Sequence, residues 1–115
     1  MKQLSLFDSE QTVESEKIAL YALGDFQARG LKLAERELPL DRLLGAFRRA
    51  SERFNCRELS DQEIVEALKK LGANVKQVPS FFAKHPFRIV IPIGLAEYAI
   101  EFFKSQQRIE DDKST

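Results

Sequence analysis

The sequence predicts a helix-rich α+β domain with one β-hairpin, and three observations lead to this fold class. Apolar residues recur at helical spacing over much of the chain, and a capping sequence marks the start of one helix. Between Asn74 and Ile91 the pattern changes to alternation and β-branched residues, which is typical of paired strands. With 115 residues, 43% of them hydrophobic, the chain can bury one modest core. We therefore expect one globular domain at residues 13–105, between a flexible N-terminal peptide at 1–12 and a charged C-terminal tail at 106–115.

The first third of the chain predicts one helix and one ambiguous segment. The helix begins near Val13 and ends at about Arg29, with an imperfect apolar period, and Gly30 is suited to end it in the left-handed conformation. The segment from Leu31 to Leu38 alternates at its start like a strand, while its second half resembles a helix. We leave both assignments open and favour helix.

Two further helices follow Pro39. Asp41 is the predicted N-cap of a helix from Arg42 to about Phe54, whose apolar stripe is Leu43, Phe47, Ala50 and Phe54. Ser60 and Glu63 form a capping box at the start of the next helix, in which each side chain accepts from the other residue's backbone N–H. Gly72 is its predicted end.

The last third predicts a hairpin and a final helix. The strands are residues 74–78 and 87–91, joined by a loop at 79–86 that has a proline at each end. The final helix has an apolar side formed by Leu95, Tyr98, Ala99, Phe102 and Phe103. The resulting order, helix-helix-helix-hairpin-helix across roughly residues 18–104, resembles a winged-helix domain, in which a helix-turn-helix precedes a two-stranded wing. That resemblance implies DNA binding, but it depends on no sequence motif.

The composition limits the classes of function. Lysine plus arginine equals aspartate plus glutamate at 18 each, so there is no overall basic field, and any nucleic-acid contact requires a local patch. The single cysteine, Cys56, excludes an internal disulfide and fits a reducing cytoplasm. The sequence contains no apolar run of membrane-spanning length and no signal-type apolar core. We expect a cytoplasmic protein without membrane association.

The most specific pattern is the pentapeptide Gln3-Leu4-Ser5-Leu6-Phe7. It resembles the peptide by which bacterial replication and repair proteins bind the sliding clamp: Gln, an aliphatic residue, a small or acidic residue, then Leu-Phe. The resemblance implies that Gln3 sets the register and that Leu6 and Phe7 fill an apolar cleft. Two other interpretations remain open, a short N-terminal strand or staple packed on the core and an unrelated linear motif.

Two other groups of residues are candidate binding sites. Arg42, Arg49 and Arg53 share one side of the second predicted helix and suit phosphate contact, although a solvated, acid-paired face is the alternative. The third predicted helix carries exposed acidic residues, which would lie opposite DNA phosphates. This counts against recognition of base edges by that helix in a DNA groove. Phe81 and Phe82 lie in the hairpin loop, where they either contact a partner or fold under the core.

Nothing in the sequence indicates catalysis or a cofactor. His85 is the only histidine, so no metal set and no triad context is recognisable, and the glycines never cluster into a phosphate loop. We expect a non-enzymatic accessory factor in DNA replication, repair or mobile-element maintenance, attached to the sliding clamp and able to contact double-stranded DNA through the arginines. The alternative is a protein-interaction or regulatory domain, for example a homodimer, that binds neither clamp nor DNA.

Overall fold

The computed structural model describes the backbone of residues 2–78 and 87–114 and the side chains of residues 14–78 and 87–108. Within these residues the chain forms four α-helices and a three-stranded antiparallel sheet, which confirms the predicted helix-rich α+β class. No helix of this described part is long and apolar enough to cross a membrane. The elements in chain order are α1 (Lys2–Ala28), β1 (Glu37–Pro39), a 3₁₀ turn (Leu40–Arg42), α2 (Leu44–Arg53), α3 (Asp61–Leu71), β2 (Asn74–Gln77), β3 (Phe87–Val90) and α4 (Ile93–Ser114).

Helix α1 is the centre of the domain. Every residue from Ile18 to Phe26 is buried, because α2, α3 and α4 all pack against this helix. A helix enclosed on all sides needs no polar face, which explains why its apolar period is imperfect in the sequence. Its C-terminal end agrees with the prediction, and Gly30 adopts a left-handed φ of 84° directly after it. Its start is at Lys2, whereas the sequence pattern placed it near Val13.

Helix α4 lies antiparallel against α1, and the two backbones approach closely at Gly24. The Gln27 amide donates to the Ala96 carbonyl at one end of the contact, and the Gln107 amide donates to the Tyr21 hydroxyl at the other. A Cβ on Gly24 would overlap Phe103 Cβ and lie 2.6 Å from the Ala99 carbonyl oxygen. Glycine is therefore required here by the space between the helices rather than by its backbone angles.

Helix α3 forms as its capping sequence predicts. The Ser60 hydroxyl accepts from the Glu63 N–H, and the Glu63 carboxylate accepts from the Ser60 N–H. Both terminal amines of Arg57 also donate to the Glu63 carboxylate, at 2.9 and 2.6 Å. The Arg57 hydrogen bond and then the Ser60 N–H lower the pKa of Glu63 to about 2. Gly72 ends the helix in the left-handed region, as expected.

The predicted start of the second helix is wrong. Asp41 lies inside the 3₁₀ turn, and α2 begins after Leu43, which caps it without a side-chain hydrogen bond. The turn forms because Leu40 and Leu43 are both buried and three-residue spacing brings both towards the core. The buried set of α2 otherwise contains the predicted Phe47 and Ala50.

The segment from Leu31 to Leu38 is not helical, so the preference for helix is wrong. Ala34 forms a bridge with Ile91, and β1 then pairs with β3 so that Leu38 faces Ile89 across the sheet. Both of these side chains are buried. The strand gains its partner only when β3, about 50 residues later in the chain, is in place.

The sheet order is β1-β3-β2, so the predicted hairpin forms and gains β1 as a third strand. The winged-helix resemblance depends on the order helix-helix-helix-hairpin-helix, which is present with β1 added between α1 and α2. The resemblance itself stays a prediction. On α4, Tyr98 is 59% exposed, which corrects its assignment to the apolar side, whereas Ala99 is buried and Phe102 and Phe103 pack against the core as predicted. The domain boundaries proposed at residues 12 and 105 stay predictions.

Replacing Gly24 with Ala should destabilise the domain, because α1 and α4 must separate to admit the methyl group. Overpacking of this kind costs about 1–3 kcal/mol, which exceeds the roughly 1 kcal/mol that alanine gains over glycine in a helix. Gly45→Ala in α2 is the matched control, since its new Cβ would meet only the Arg49 guanidinium, at 3.5 Å. Urea unfolding should show Gly24→Ala less stable and Gly45→Ala equally or more stable than the parent; equal stability of both variants would contradict the close contact.

The lowered pKa of Glu63 predicts a pH-dependent stability contribution. The folded pKa lies below the ordinary glutamate value of about 4.3, so the stabilisation is complete above that pH and is lost as the pH falls towards 2. Glu63→Gln keeps a side chain that can complete the capping box but removes the charge. Urea unfolding at pH 7 should show the variant less stable, with the difference shrinking between about pH 4.3 and 2. Glu66→Gln on the exposed face of α3 should show little difference at either pH, and a Glu63→Gln difference that persists in acid would refute the assignment.

Candidate functional site

The clamp-like peptide Gln3-Leu4-Ser5-Leu6-Phe7 falls within the bounds of α1, but its side chains lie outside the described residues. The clamp hypothesis therefore stays a prediction. Among the described side chains of α1, the buried set begins at Ile18, eleven residues after Phe7.

Phe81 and Phe82, the predicted partner-binding pair, lie outside the described residues. Their assignment also stays a prediction. The strands that precede and follow residues 79–86 are paired, with Gln77 opposite Phe87 as the last pair of the ladder on that side.

The three arginines of the predicted phosphate site have different environments. Arg42 is exposed at the end of the 3₁₀ turn. Arg49 is half-buried and points to α1, where its Nε and Nη2 donate to Asp25 Oδ2 at 2.8 and 2.6 Å. Arg53 reaches α4, where its Nη2 donates to the Gln106 carbonyl at 3.2 Å. The chain thus directs two of the three guanidinium groups towards other parts of the same domain.

Asp25 explains the position of Arg49. It is only 8% exposed and lies on the central helix, where an unpaired carboxylate would be costly. Arg49 binds one of its oxygens through two N–H groups, and Arg29, directly after the end of α1, donates to the same oxygen at 3.3 Å. The α1–α2 contact is consequently both apolar and ionic.

Arg53 has an aromatic environment between α1 and α2. Its guanidinium carbon lies 5.9 Å from the centre of the Tyr21 ring and 5.8 Å from that of Phe54. These distances are within the range of cation–π attraction. Tyr21 also packs against Phe103 of α4, with the ring centres 4.8 Å apart. Arg53 therefore joins three helices at the end of the domain where Gln106 lies.

The described residues offer no arrangement typical of a metal or thiol-based site. No group of three or more potential ligands comes together among them. The Cys56 thiol lies 3.5 Å from a Glu14 carboxylate oxygen, and its pKa is raised by burial and then by that carboxylate. A raised pKa keeps the thiol protonated and weakly nucleophilic.

An open cleft of about 740 Å³ lies where the C-terminal end of α1, the segment after it and α4 meet. The residues that matter for its chemistry are Gln27, Leu31, Lys32, Ala34, Arg36 and Ile100. We call this the 27–36 cleft. It combines an apolar surface with two cations, and it was not predicted from the sequence. The sequence signal that could have indicated the cleft is Leu31, an apolar residue between Gly30 and Lys32. In the structure Leu31 is 42% exposed.

The backbone around the 27–36 cleft is held by specific bonds. Glu35 adopts a left-handed φ of 60°, which is uncommon for a residue with a side chain. Its N–H donates to the Ile91 carbonyl at 2.8 Å, and its carboxylate accepts from the N–H of Ile93 at 2.9 Å, at the start of α4. These bonds fix the segment both to the end of β3 and to the start of α4, so the backbone beside the cleft has a defined position.

Comparison with known protein families, curated proteins and solved structures finds no significant match to this chain.

Replacing Arg49 with Ala should destabilise the domain, because Asp25 would lose two of the three hydrogen bonds to its buried oxygen. Removal of one partner from a fully buried pair costs about 3–5 kcal/mol; since Arg49 is 38% exposed and Arg29 remains, we expect about 1–2 kcal/mol. Arg48→Ala is the control, because its contact with Glu58 is 3.5 Å long and both side chains are exposed. Urea unfolding should place that variant within about 0.5 kcal/mol of the parent. Equal losses for the two variants would contradict a structural role for Arg49.

Proposed function

We propose that this protein is a non-enzymatic, cytoplasmic accessory factor in DNA replication, repair or mobile-element maintenance that docks on the bacterial sliding clamp through residues 3–7. The observation that carries the proposal is the match of Gln3, Leu4, Ser5, Leu6 and Phe7 to all five positions of the clamp-binding peptide. Docking uses the three apolar side chains for burial and the Gln3 amide for register.

The arrangement of the domain is compatible with a peptide that serves another protein. The described core is complete around α1 from Ile18 onward, with α2, α3 and α4 all packed on that part of the helix. The polar and acidic residues 8–12 separate the pentapeptide from it. We infer that the described core does not depend on the pentapeptide, so that a clamp can bind it without unfolding the domain.

A balanced net charge also favours recruitment through a short peptide. With 18 basic and 18 acidic residues, the chain has no long-range attraction to DNA. A clamp already encircling DNA would supply the local concentration that the domain's own charge does not.

DNA contact through Arg42, Arg49 and Arg53 is not included in this proposal. Arg49 binds Asp25 and Arg53 binds the Gln106 carbonyl, so phosphate contact by all three would require breaking bonds within the domain. Arg42 alone among the three is exposed on the described surface.

Changing both Leu6 and Phe7 to Ala should abolish binding to purified bacterial sliding clamp. We expect a dissociation constant on the order of micromolar for the parent, since the contact consists of one short peptide, and no saturable binding for the variant. Surface plasmon resonance or fluorescence anisotropy with full-length protein measures both. Ser5→Asp is the matched control, because the pentapeptide accepts a small or acidic residue at that position, and it should bind like the parent.

Thermal unfolding distinguishes this proposal from a packed N-terminal segment. The double alanine variant should keep the melting temperature of the parent within about 1–2 °C, because surface substitutions rarely change stability more than about 0.5 kcal/mol. A loss of several degrees would show that Leu6 and Phe7 belong to the core. Absence of binding by the parent protein would refute clamp docking itself.

A further inference from the structure

We propose that the 27–36 cleft binds a segment of a partner protein in which an apolar side chain is flanked by carboxylates. The cleft lies at the C-terminal end of α1, and residues 3–7 lie at the other end of that helix, so this site is separate from the proposed clamp peptide. The argument depends on its apolar surface, its charge and the fixed backbone beside it.

The apolar part of the cleft provides the anchor point. Leu31 is one of three large apolar residues that are exposed in the described part of the chain. It lines the cleft together with Ala34 and Ile100, both of which are only half-buried. Covering these side chains with an apolar group removes apolar surface from water, which favours association.

The charge of the cleft selects the residues that flank the anchor. Lys32 and Arg36 are exposed, and neither is paired with a carboxylate of the described residues. The acid between them, Glu35, has its carboxylate bonded to the N–H that begins α4. The other acid of this segment, Glu37, lies 3.9 Å from the Lys76 ammonium. Neither acid lines the cleft, so its lining has two cations to attract the carboxylates of a ligand.

Within the described residues, helix α4 contributes Ile100 but no acid to the lining of the cleft. Elsewhere on α4, three charged residues near Ile100 are exposed, namely Glu97, Glu101 and Lys104. The positive charge comes from the two lining residues Lys32 and Arg36, since residues 31–38 as a whole are neutral.

Gln27 provides a group that can orient a polypeptide. Both hydrogens of its amide are used, in bonds to the Leu23 and Ala96 carbonyls at 3.2 and 2.9 Å. These bonds fix the side chain, and its carbonyl oxygen remains as an acceptor beside the cleft. A backbone N–H of a bound segment is a suitable donor to it.

These features favour a protein ligand over nucleic acid. A phosphate backbone would use the two cations but leave the apolar surface exposed to water. Self-association is a separate outcome of the test, because the chain also contains an apolar residue beside acids at Ile109-Glu110-Asp111-Asp112.

The experiment is a titration of ¹⁵N-labelled full-length protein followed by amide chemical shifts. The probe is a capped ten-residue peptide with two adjacent leucines flanked by aspartate and glutamate; the matched peptide has lysine at every acidic position. We expect the acidic peptide to shift the amides of residues 30–36 and Ile100 with a dissociation constant of about 0.1–1 mM, and the lysine peptide to leave them unchanged. Raising the salt concentration should weaken the binding several-fold.

Three variants test the assignment. Leu31→Ser should weaken binding of the acidic peptide at least about five-fold by removing the apolar contact. The double variant Lys32→Glu/Arg36→Glu should lose the acidic peptide and bind the lysine peptide instead. Lys69→Glu, on the exposed face of α3, is the control for charge reversal and should bind like the parent. Residues 31, 32, 36 and 69 are all exposed. A variant whose amide shifts outside the cleft match those of the parent protein is folded.

Four results would overturn the proposal. The first is equal binding of the two peptides, and the second is the absence of amide shifts with either peptide at 2 mM. The third is that the amides of residues 30–36 and Ile100 shift when the protein alone is concentrated. The fourth is that the same amides shift when a DNA duplex is added. The third would assign the cleft to self-association and the fourth to nucleic acid. Loss of clamp binding in the Leu6 and Phe7 variant bears on none of them, so the two proposals succeed or fail separately.

Discussion

The close contact between α1 and α4 at Gly24 is the constraint on which the rest of the structure depends. It brings α4 near enough for Ala96 and Ala99 to be buried against α1 and encloses the central helix from Ile18 to Phe26. With one side of α1 covered by α4, helices α2 and α3 cover the others, and the sheet packs beside them through Leu38 and Ile89. The two helices also form walls of the 27–36 cleft, so its shape follows from the same contact.

Enclosing α1 has an electrostatic consequence. The helix carries Asp25 into the interior, and the buried carboxylate requires a cation that the surrounding helices must supply. Arg49 of α2 supplies this cation. It belongs to the side of the helix for which the sequence predicted phosphate contact. An arginine on this side of α2 thus pairs with a buried acid of the neighbouring helix, and this pairing cannot be inferred from the sequence of α2 alone. The same reasoning applies to Arg53, which lies over the rings of Tyr21 and Phe54.

The predictable part of the fold is the part determined by nearby residues. The Ser60–Glu63 capping box and the glycine stops at 30 and 72 act within one or two turns, and all three are confirmed. β1 was not predictable, because Leu38 becomes a strand residue only through its partner Ile89. Asp41 was misassigned as a cap because the burial of Leu40 and Leu43 in the tertiary structure decides the local geometry. The cleft combines residues about 70 positions apart, Gln27 and Ile100, and no local pattern contains that information.

The length of α1 determines how the two proposed contacts can act together. Phe7 and Gln27 are separated by about 30 Å along the helix axis at 1.5 Å per residue. This distance is comparable to the diameter of a small domain, so a clamp at one end leaves room for a partner segment at the other. Because Ile18 to Phe26, which lie between these ends, are buried by α2, α3 and α4, binding at either site need not disturb the packing that holds the other. If both proposed contacts form, each weak contact adds to the effective concentration of the other partner without competing for the same surface.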